Sequence, residues 1–299
     1  MPELPEVEVV RSGLEPAIRR ATITGVRVIE PRSLRRHPGP PADFVAALEG
    51  RAVLEVARRG KFLWWVLDSG QALVCHLGMS GQMRLLPPDQ DAGAHCRVRI
   101  ELRDASGQAR SVAFVDQRIF GSLMLDELVA TPDARAGGLG STRAATPRCV
   151  AHIARDPLDP AFDDRAWRRA LAAKRTGIKR ALLDQGLISG VGNIYADEAL
   201  WASRLHYDTP ADSLGPRAAS RLLGAIREVF RRALEEGGTS FDAQYVNVNG
   251  QSGYFSRSLE AYGRAGEPCS RCGAMIRRER FMNRSSYRCP RCQKRASSR

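Results

Sequence analysis

The sequence predicts an α+β chain of two domains, an antiparallel β domain followed by a helical one that ends in a metal-holding tail. Three observations carry this. Short β-like runs separated by turns fill the first 115 residues, helical periodicity runs from 162 to 236, and two Cys-x2-Cys pairs lie near the carboxy terminus. At 299 residues the chain is long enough for two hydrophobic cores.

Taken in order, Leu4, Val7, Leu14 and Ile18 recur at helical spacing over 3–20, with Pro5 acceptable in a first turn. Strand-like runs follow at 23–29, 51–57, 61–67, 72–76, 97–102 and 111–115, with a short helix at 44–48. Asp68-Ser69-Gly70 and Asp104-Ala105-Ser106-Gly107 read as turns, so the strands are antiparallel and form a sandwich or a barrel. Residues 131–147 are rich in Gly, Ala, Pro and Thr, and 131–151 reads as a linker, although Leu128 or Leu139 could still pack. Helices are expected at 162–173, 178–184, 194–203 and 216–236, the last closed by Gly237-Gly238. A Gly- and Asn-containing loop follows at 247–253. The expected domains are thus 1–130, a helical 152–260 and a finger at 261–299.

A composition of 43% hydrophobic and 26% charged residues is that of a globular protein, not a disordered one. No stretch approaches the roughly 18–20 uncharged apolar residues of a membrane span. The opening Met-Pro-Glu-Leu-Pro-Glu is unlike a signal peptide, so a cytoplasmic protein is expected. Net charge is +13, and 261–299 holds ten Arg and one Lys against Glu267 and Glu279. Such a segment suits a polyphosphate partner, although a solvated tail that aids solubility would have the same composition.

Cys269-x2-Cys272 and Cys289-x2-Cys292 are separated by sixteen residues, the spacing of a four-cysteine zinc site. Four thiolates close the tetrahedral shell, so this zinc is structural. Two disulfides fit poorly with a chain lacking a secretion signal. The zinc would hold Arg277, Arg278, Arg280, Arg284 and Arg288 on a hairpin able to enter a DNA groove. Cys75, Cys96 and Cys149 are scattered, as buried structural thiols are.

Pro2 follows the initiator Met, and a small second residue permits Met removal. The amine so exposed is secondary, and with a pKa of roughly 7.7–8 a useful fraction is neutral near pH 7. It could attack C1′ of a deoxyribose and form an iminium. Glu3 and Glu6 lie three apart on one helix face and could pass protons. Acids in a first helical turn also simply complement the helix dipole.

Met1-Pro2-Glu3-Leu4-Pro5-Glu6-Val7-Glu8 resembles the opening of formamidopyrimidine-DNA glycosylases. His76-Leu77-Gly78-Met79-Ser80-Gly81, Asp116-Gln117-Arg118-Ile119-Phe120-Gly121 and Gly190-Val191-Gly192-Asn193-Ile194-Tyr195-Ala196-Asp197-Glu198-Ala199 follow in the family's order, and the cysteine finger completes the set. The resemblance runs from residue 2 to Gln293. It implies an amino-terminal β-sandwich with flanking helices, a helix–two-turn–helix domain and a zinc finger. It implies a glycosylase that excises oxidised purines from damaged double-stranded DNA and cleaves the strand by β and δ elimination.

By the same resemblance Pro2 is the nucleophile, Glu3 the acid/base at the sugar and Glu6 a supporting carboxylate. Lys61, near the abasic-site phosphate, and Arg284, gripping the backbone across the lesion, complete the catalytic set, and His76, Lys179 and Asn193 are further DNA contacts. Met79, Arg118 and Phe120 fill the gap left by an everted nucleotide, where apolar wedges and a guanidinium offset the cost of unstacking. By burial ranking alone Met79 and Phe120 would be core residues. Residues 246–254 resemble the segment that closes over the flipped base. The family often has Pro where Gln117 stands, a basic residue at Ile119, and Gly before the finger arginine, where this chain has Asn283.

Three rivals are weighed. An endonuclease VIII-like glycosylase for oxidised pyrimidines would share the proline, the glutamates and the finger, but Leu4 and Phe120 lean towards the purine enzyme. A non-catalytic damage sensor would not need every catalytic position filled. A zinc-ribbon component of transcription would leave the first 130 residues unexplained. A monomer is expected, because no amphipathic helix is left over for a partner.

Overall fold

The computed structural model describes residues 2–239, 248–249 and 253–295. The chain divides into two compact units, one from 1–152 with 237–253 and the other from 153–236 with 254–299.

In the first unit helix α1 (Leu4–Ile18) presents Val7, Val10, Leu14 and Ile18 to the core. Strand β1 (Thr22–Val28) and helix α2 (Pro41–Leu48) follow, then β2 (Val53–Arg59), β3 (Phe62–Leu67), β4 (Gln71–His76) and β5 (Gly81–Leu86). After them come β6 (Cys96–Arg103), β7 (Ala109–Asp116), β8 (Ser122–Ala130) and the short β9 (Ala145–Pro147). One sheet has the order β1-β6-β7-β5 and the other β2-β3-β4-β8-β9, and every pairing is antiparallel. Ile100, Val112 and Phe114 of the first sheet share a core with Leu63, Trp65 and Leu73 of the second. The β-sandwich, rather than the barrel, is the outcome.

Strands β5, β8 and β9 lie outside the predicted runs. β8 alternates Leu123 and Leu125 inward, but Asp126-Glu127 breaks its apolar pattern, and β5 opens on a glycine. The segment expected as a linker packs on the sandwich. Leu139 exchanges backbone hydrogen bonds with Arg58 at 2.9 Å each way, and Gly138 lies so close to Trp64 that an added Cβ would sit 2.8 Å from the ring. This accounts for β3, Phe-Leu-Trp-Trp-Val-Leu, which is buried on both faces.

In the second unit α3 (Asp164–Ala172) is capped by the Asp163 carboxylate, which accepts from the N–H groups of Arg165 and Ala166. Helices α4 (Ile178–Leu182) and α5 (Asn193–Ser203) precede the long α6 (Pro216–Glu235). α6 buries Leu222, Leu223, Ile226, Val229 and Phe230 on one stripe, and Arg227 holds Asp164 of α3 through two bonds of 2.9 and 2.6 Å. β10 (Arg277–Phe281) and β11 (Arg284–Arg288) form the predicted hairpin. No helix among the described residues is long and apolar enough to cross a membrane.

Candidate active site

Pro2, Glu3 and Glu6 are buried at the start of α1. One oxygen of Glu6 accepts the Glu3 N–H at 2.8 Å, and the other accepts both the N–H and the hydroxyl of Thr239 at 2.8 Å each. The carboxylate that resemblance makes a supporting group thus fixes the backbone of its neighbour. Farther along α1, Glu8 accepts from Arg11 and, at 2.8 Å, from Nε of the fully buried Arg58. Arg58 also donates to the Gly60 carbonyl at 3.1 Å, next to Lys61. A buried guanidinium requires such partners, and these tie α1 to the turn carrying Lys61. Lys61 itself is half-buried.

His76 ends β4 with its ring 4.8 Å from that of Phe62. Burial, then the charges of Arg36, Lys61 and Arg35, hold its pKa down at about 4. Its Nδ1 accepts the Gly78 N–H at 3.2 Å, so the neutral ring carries its proton on Nε2 and is a donor there.

The chain crosses from one sheet to the other between β4 and β5 and again between β7 and β8. His76 pairs with Ser122 and Gly81 with Asp116, so the two crossings run side by side. They carry Met79 on one and Arg118 and Phe120 on the other. Met79 is 47% and Phe120 49% exposed, against the burial their residue types would suggest, and Arg118 is exposed between them in sequence. Gly78, at φ +63, permits the contact, because a Cβ there would lie 2.4 Å from the Phe120 carbonyl carbon. Asp116 is buried and accepts the N–H groups of Arg118 (3.2 Å) and Gly121 (2.7 Å) and the Ser80 hydroxyl.

In the second unit, Asn193 opens α5 and its amide nitrogen donates to the Ser285 carbonyl at 3.0 Å. Lys179 is fully buried, with Nζ 2.7 Å from Asp197 Oδ1 and 3.3 Å from the same Ser285 carbonyl. Lys179, expected as a DNA contact, thus lies between Asp197 of α5 and the Ser285 carbonyl of β11. Asp197 further accepts the Ser286 hydroxyl and the Tyr287 N–H at 2.8 and 2.9 Å. The exposed Arg284 is the residue before this anchored stretch. Glu198, also buried, accepts the N–H groups of Glu260, Ala261 and Tyr262. Burial pushes its carboxyl up to about 7 against those three donors.

The sulfurs of Cys269, Cys272, Cys289 and Cys292 all lie within 4.8 Å of one another. A tetrahedron with Zn–S bonds of about 2.3 Å has edges of about 3.8 Å, so the donor set fits one structural zinc. Trp201 of α5 donates its indole N–H to Cys269 Sγ at 3.4 Å, and Arg271 stacks over the same indole. Arg277, Arg278, Arg280 and Arg284 are exposed on the hairpin, while Arg288 pairs with Glu279 at 2.6 Å. Cys75 and Cys96 are buried as expected; Cys149 is only half-buried, its N–H bonded to Asp126.

Arg58 and Trp201 escape sequence reasoning, and Asp116, Asp197 and Glu198 stand in the quoted motifs without a role assigned to them. The one available signal is that Asp197-Glu198 sits in an otherwise apolar helix, where buried acids demand partners.

Fold and site together define a zinc-finger protein of the helix–two-turn–helix type. Family models match the chain along its length: the formamidopyrimidine-DNA glycosylase N-terminal domain over 1–123, the H2TH domain of the same enzymes over 153–244, and the zinc finger found in FPG and IleRS over 266–295. The formamidopyrimidine-DNA glycosylase of Leifsonia xyli is 58% identical over 98% of this chain and all of its own, and that of Thermobifida fusca 56% identical over 99% and 98%. A Lactococcus lactis FPG variant in complex with Fapy-dG-containing DNA superposes with a TM-score of 0.82 at 28% identity, covering 98% of this chain and 100% of its own. The MutM (FPG) protein of Thermus thermophilus gives 0.79 at 36% identity, covering 99% and 100%. The chain belongs to the formamidopyrimidine-DNA glycosylase family.

Proposed function

We propose that this protein is a base-excision-repair glycosylase and abasic-site lyase that removes oxidised purines, 8-oxoguanine and formamidopyrimidines, from duplex DNA through Pro2. The observation that carries the reading is the carboxylate frame at the amino terminus, in which Glu6 pins the Glu3 backbone next to the buried Pro2. With Met1 removed, the Pro2 nitrogen attacks C1′ of the damaged nucleotide. The C1′–base bond breaks, the base leaves with a proton, and the amine and sugar carbon form an iminium. Glu3 delivers protons at the sugar. Loss of a C2′ proton then expels the 3′ phosphate, a second elimination expels the 5′ phosphate, and water hydrolyses the imine to free Pro2. The zinc takes no part and holds the finger.

Lys61, His76, Asn193 and Arg284 contact the phosphates. The neutral His76 donates from Nε2, and Arg284 stands at the tip of a hairpin held by Lys179 and Asp197. Met79 and Phe120 wedge into the stack, and Arg118 faces the orphaned base with a preference for cytosine. The protein acts as a cytoplasmic monomer on the nucleoid. Of the segment 246–254, residues 246–247 and 250–252 lie outside the described residues.

Borohydride trapping on a duplex with one 8-oxoguanine opposite cytosine tests this. A covalent adduct mapped to Pro2 is expected, with none from a protein bearing an amino-terminal extension. Tight binding without an adduct, from a protein with a confirmed free Pro2, would mean a damage sensor. Adducts only on oxidised pyrimidines would assign the sister specificity.

A further inference from the structure

We propose that Arg35 is a positioning residue for the wedge, setting the loop that carries Arg118 and Phe120. The proposal rests on the reading of those two residues, with Met79, as the group that fills the emptied stack.

Arg35 follows a single helical turn, Pro31–Leu34, that is anchored by the buried Ser33 and Leu34. Its guanidinium donates to three consecutive carbonyls of the loop, those of Ile119 at 3.0 Å, Phe120 at 2.6 Å and Gly121 at 2.7 Å. From the other side Asp116 accepts the N–H groups of Arg118 and Gly121. The loop is thus held by its carbonyls through one side chain and by its amides through another. It needs both, because Ile119 stands at φ +57, a region β-branched residues rarely enter. Three consecutive carbonyls, two on one terminal nitrogen and one on the other, use the rigid fork of a guanidinium, which an ammonium cannot reproduce. Arg35 is exposed, and its terminal nitrogens end on loop carbonyls.

Arg118 can discriminate the orphan base only if its backbone is fixed to within a fraction of a hydrogen-bond length. Arg35 therefore governs base preference without touching a base. This also explains how the chain tolerates Ile119 beside the wedge: the carbonyl clamp holds the turn through its backbone, whatever side chain stands at 119.

The test compares wild type with Arg35→Lys and Arg35→Ala. Amide hydrogen exchange over residues 117–121 is followed in the free protein, and kcat/KM is measured for 8-oxoguanine opposite cytosine and opposite adenine. Both variants should exchange these amides faster and lose about tenfold of their cytosine-over-adenine preference, the size of one base-discriminating contact. Lys should not rescue, and thermal midpoints should stay near wild type, as for an exposed side chain. Unchanged exchange overturns the clamp. An equal loss opposite both bases also overturns it, because Arg35 would then be a phosphate contact. A wild type that excises nothing counts against the glycosylase reading, while the exchange data still decide the clamp.

Discussion

Lys179 and Asp197 form an ion pair of 2.7 Å in which neither side chain reaches solvent, and both partners also bind strand β11 of the finger hairpin. Removing one member of such a pair leaves the other charge buried and uncompensated. Lys179→Ala should therefore cost about 3–5 kcal/mol in unfolding free energy. It should also weaken DNA binding, through the displaced Ser285 and Arg284 and not through a lost phosphate contact. A double-mutant cycle with Arg284→Ala separates the two: the binding losses should be strongly non-additive if Lys179 acts through Arg284, and additive if it contacts a phosphate of its own.

Trp201 should report the metal. Its N–H points at Cys269 Sγ and its face meets Arg271, so chelating the zinc should change tryptophan fluorescence. Trp201→Phe should abolish most of that change, leaving the signals of Trp64, Trp65 and Trp167. The same variant should lose zinc to a chelator faster, by roughly tenfold, as metal-supporting hydrogen bonds do when removed. Equal release rates would show that the contact does not support the site.

The depressed pKa of His76 gives a pH signature. Folding favours the neutral ring, so its contribution to stability is complete above the ordinary value of 6.5 and is lost as pH falls towards about 4. Thermal midpoints of wild type and His76→Gln should converge across that interval on acidification. Parallel curves would mean that the ring is not held neutral.

Gly78→Ala should damage lesion removal more than stability. The added methyl would both force φ +63 on alanine and strike the backbone at Phe120. The strain should cost about 1 kcal/mol or more. Excision from duplex DNA should fall further than that figure alone implies, because Met79 and Phe120 move apart. A variant with normal excision would mean that the two crossings need not touch.

Much of this molecule is legible in its sequence, and what is not legible has a physical pattern. Strands β1 to β4, β6 and β7 and the four helices of the second unit follow from periodicity, and the cysteine spacing reports the finger. Met79 and Phe120 did not follow from chemistry, since a methionine and a phenylalanine among strands are ordinarily core. Only the order of motifs singled them out, and both are exposed. Lys179 shows the converse, because helical spacing cannot tell a lysine facing solvent from one meeting an aspartate eighteen residues later. Arg35 was invisible because its acceptors are backbone carbonyls some eighty-five residues away, which carry no side-chain signature.

The Glu6 carboxylate joins the first turn of the chain to Thr239, 233 residues later. A contact between residues so far apart in sequence can close only after the chain through Thr239 has been made, so the backbone at Glu3 is fixed late, by a residue remote in sequence. A chain that ends before Thr239 keeps the Glu6 bond to the Glu3 N–H but lacks the two bonds that hold the other oxygen of that carboxylate.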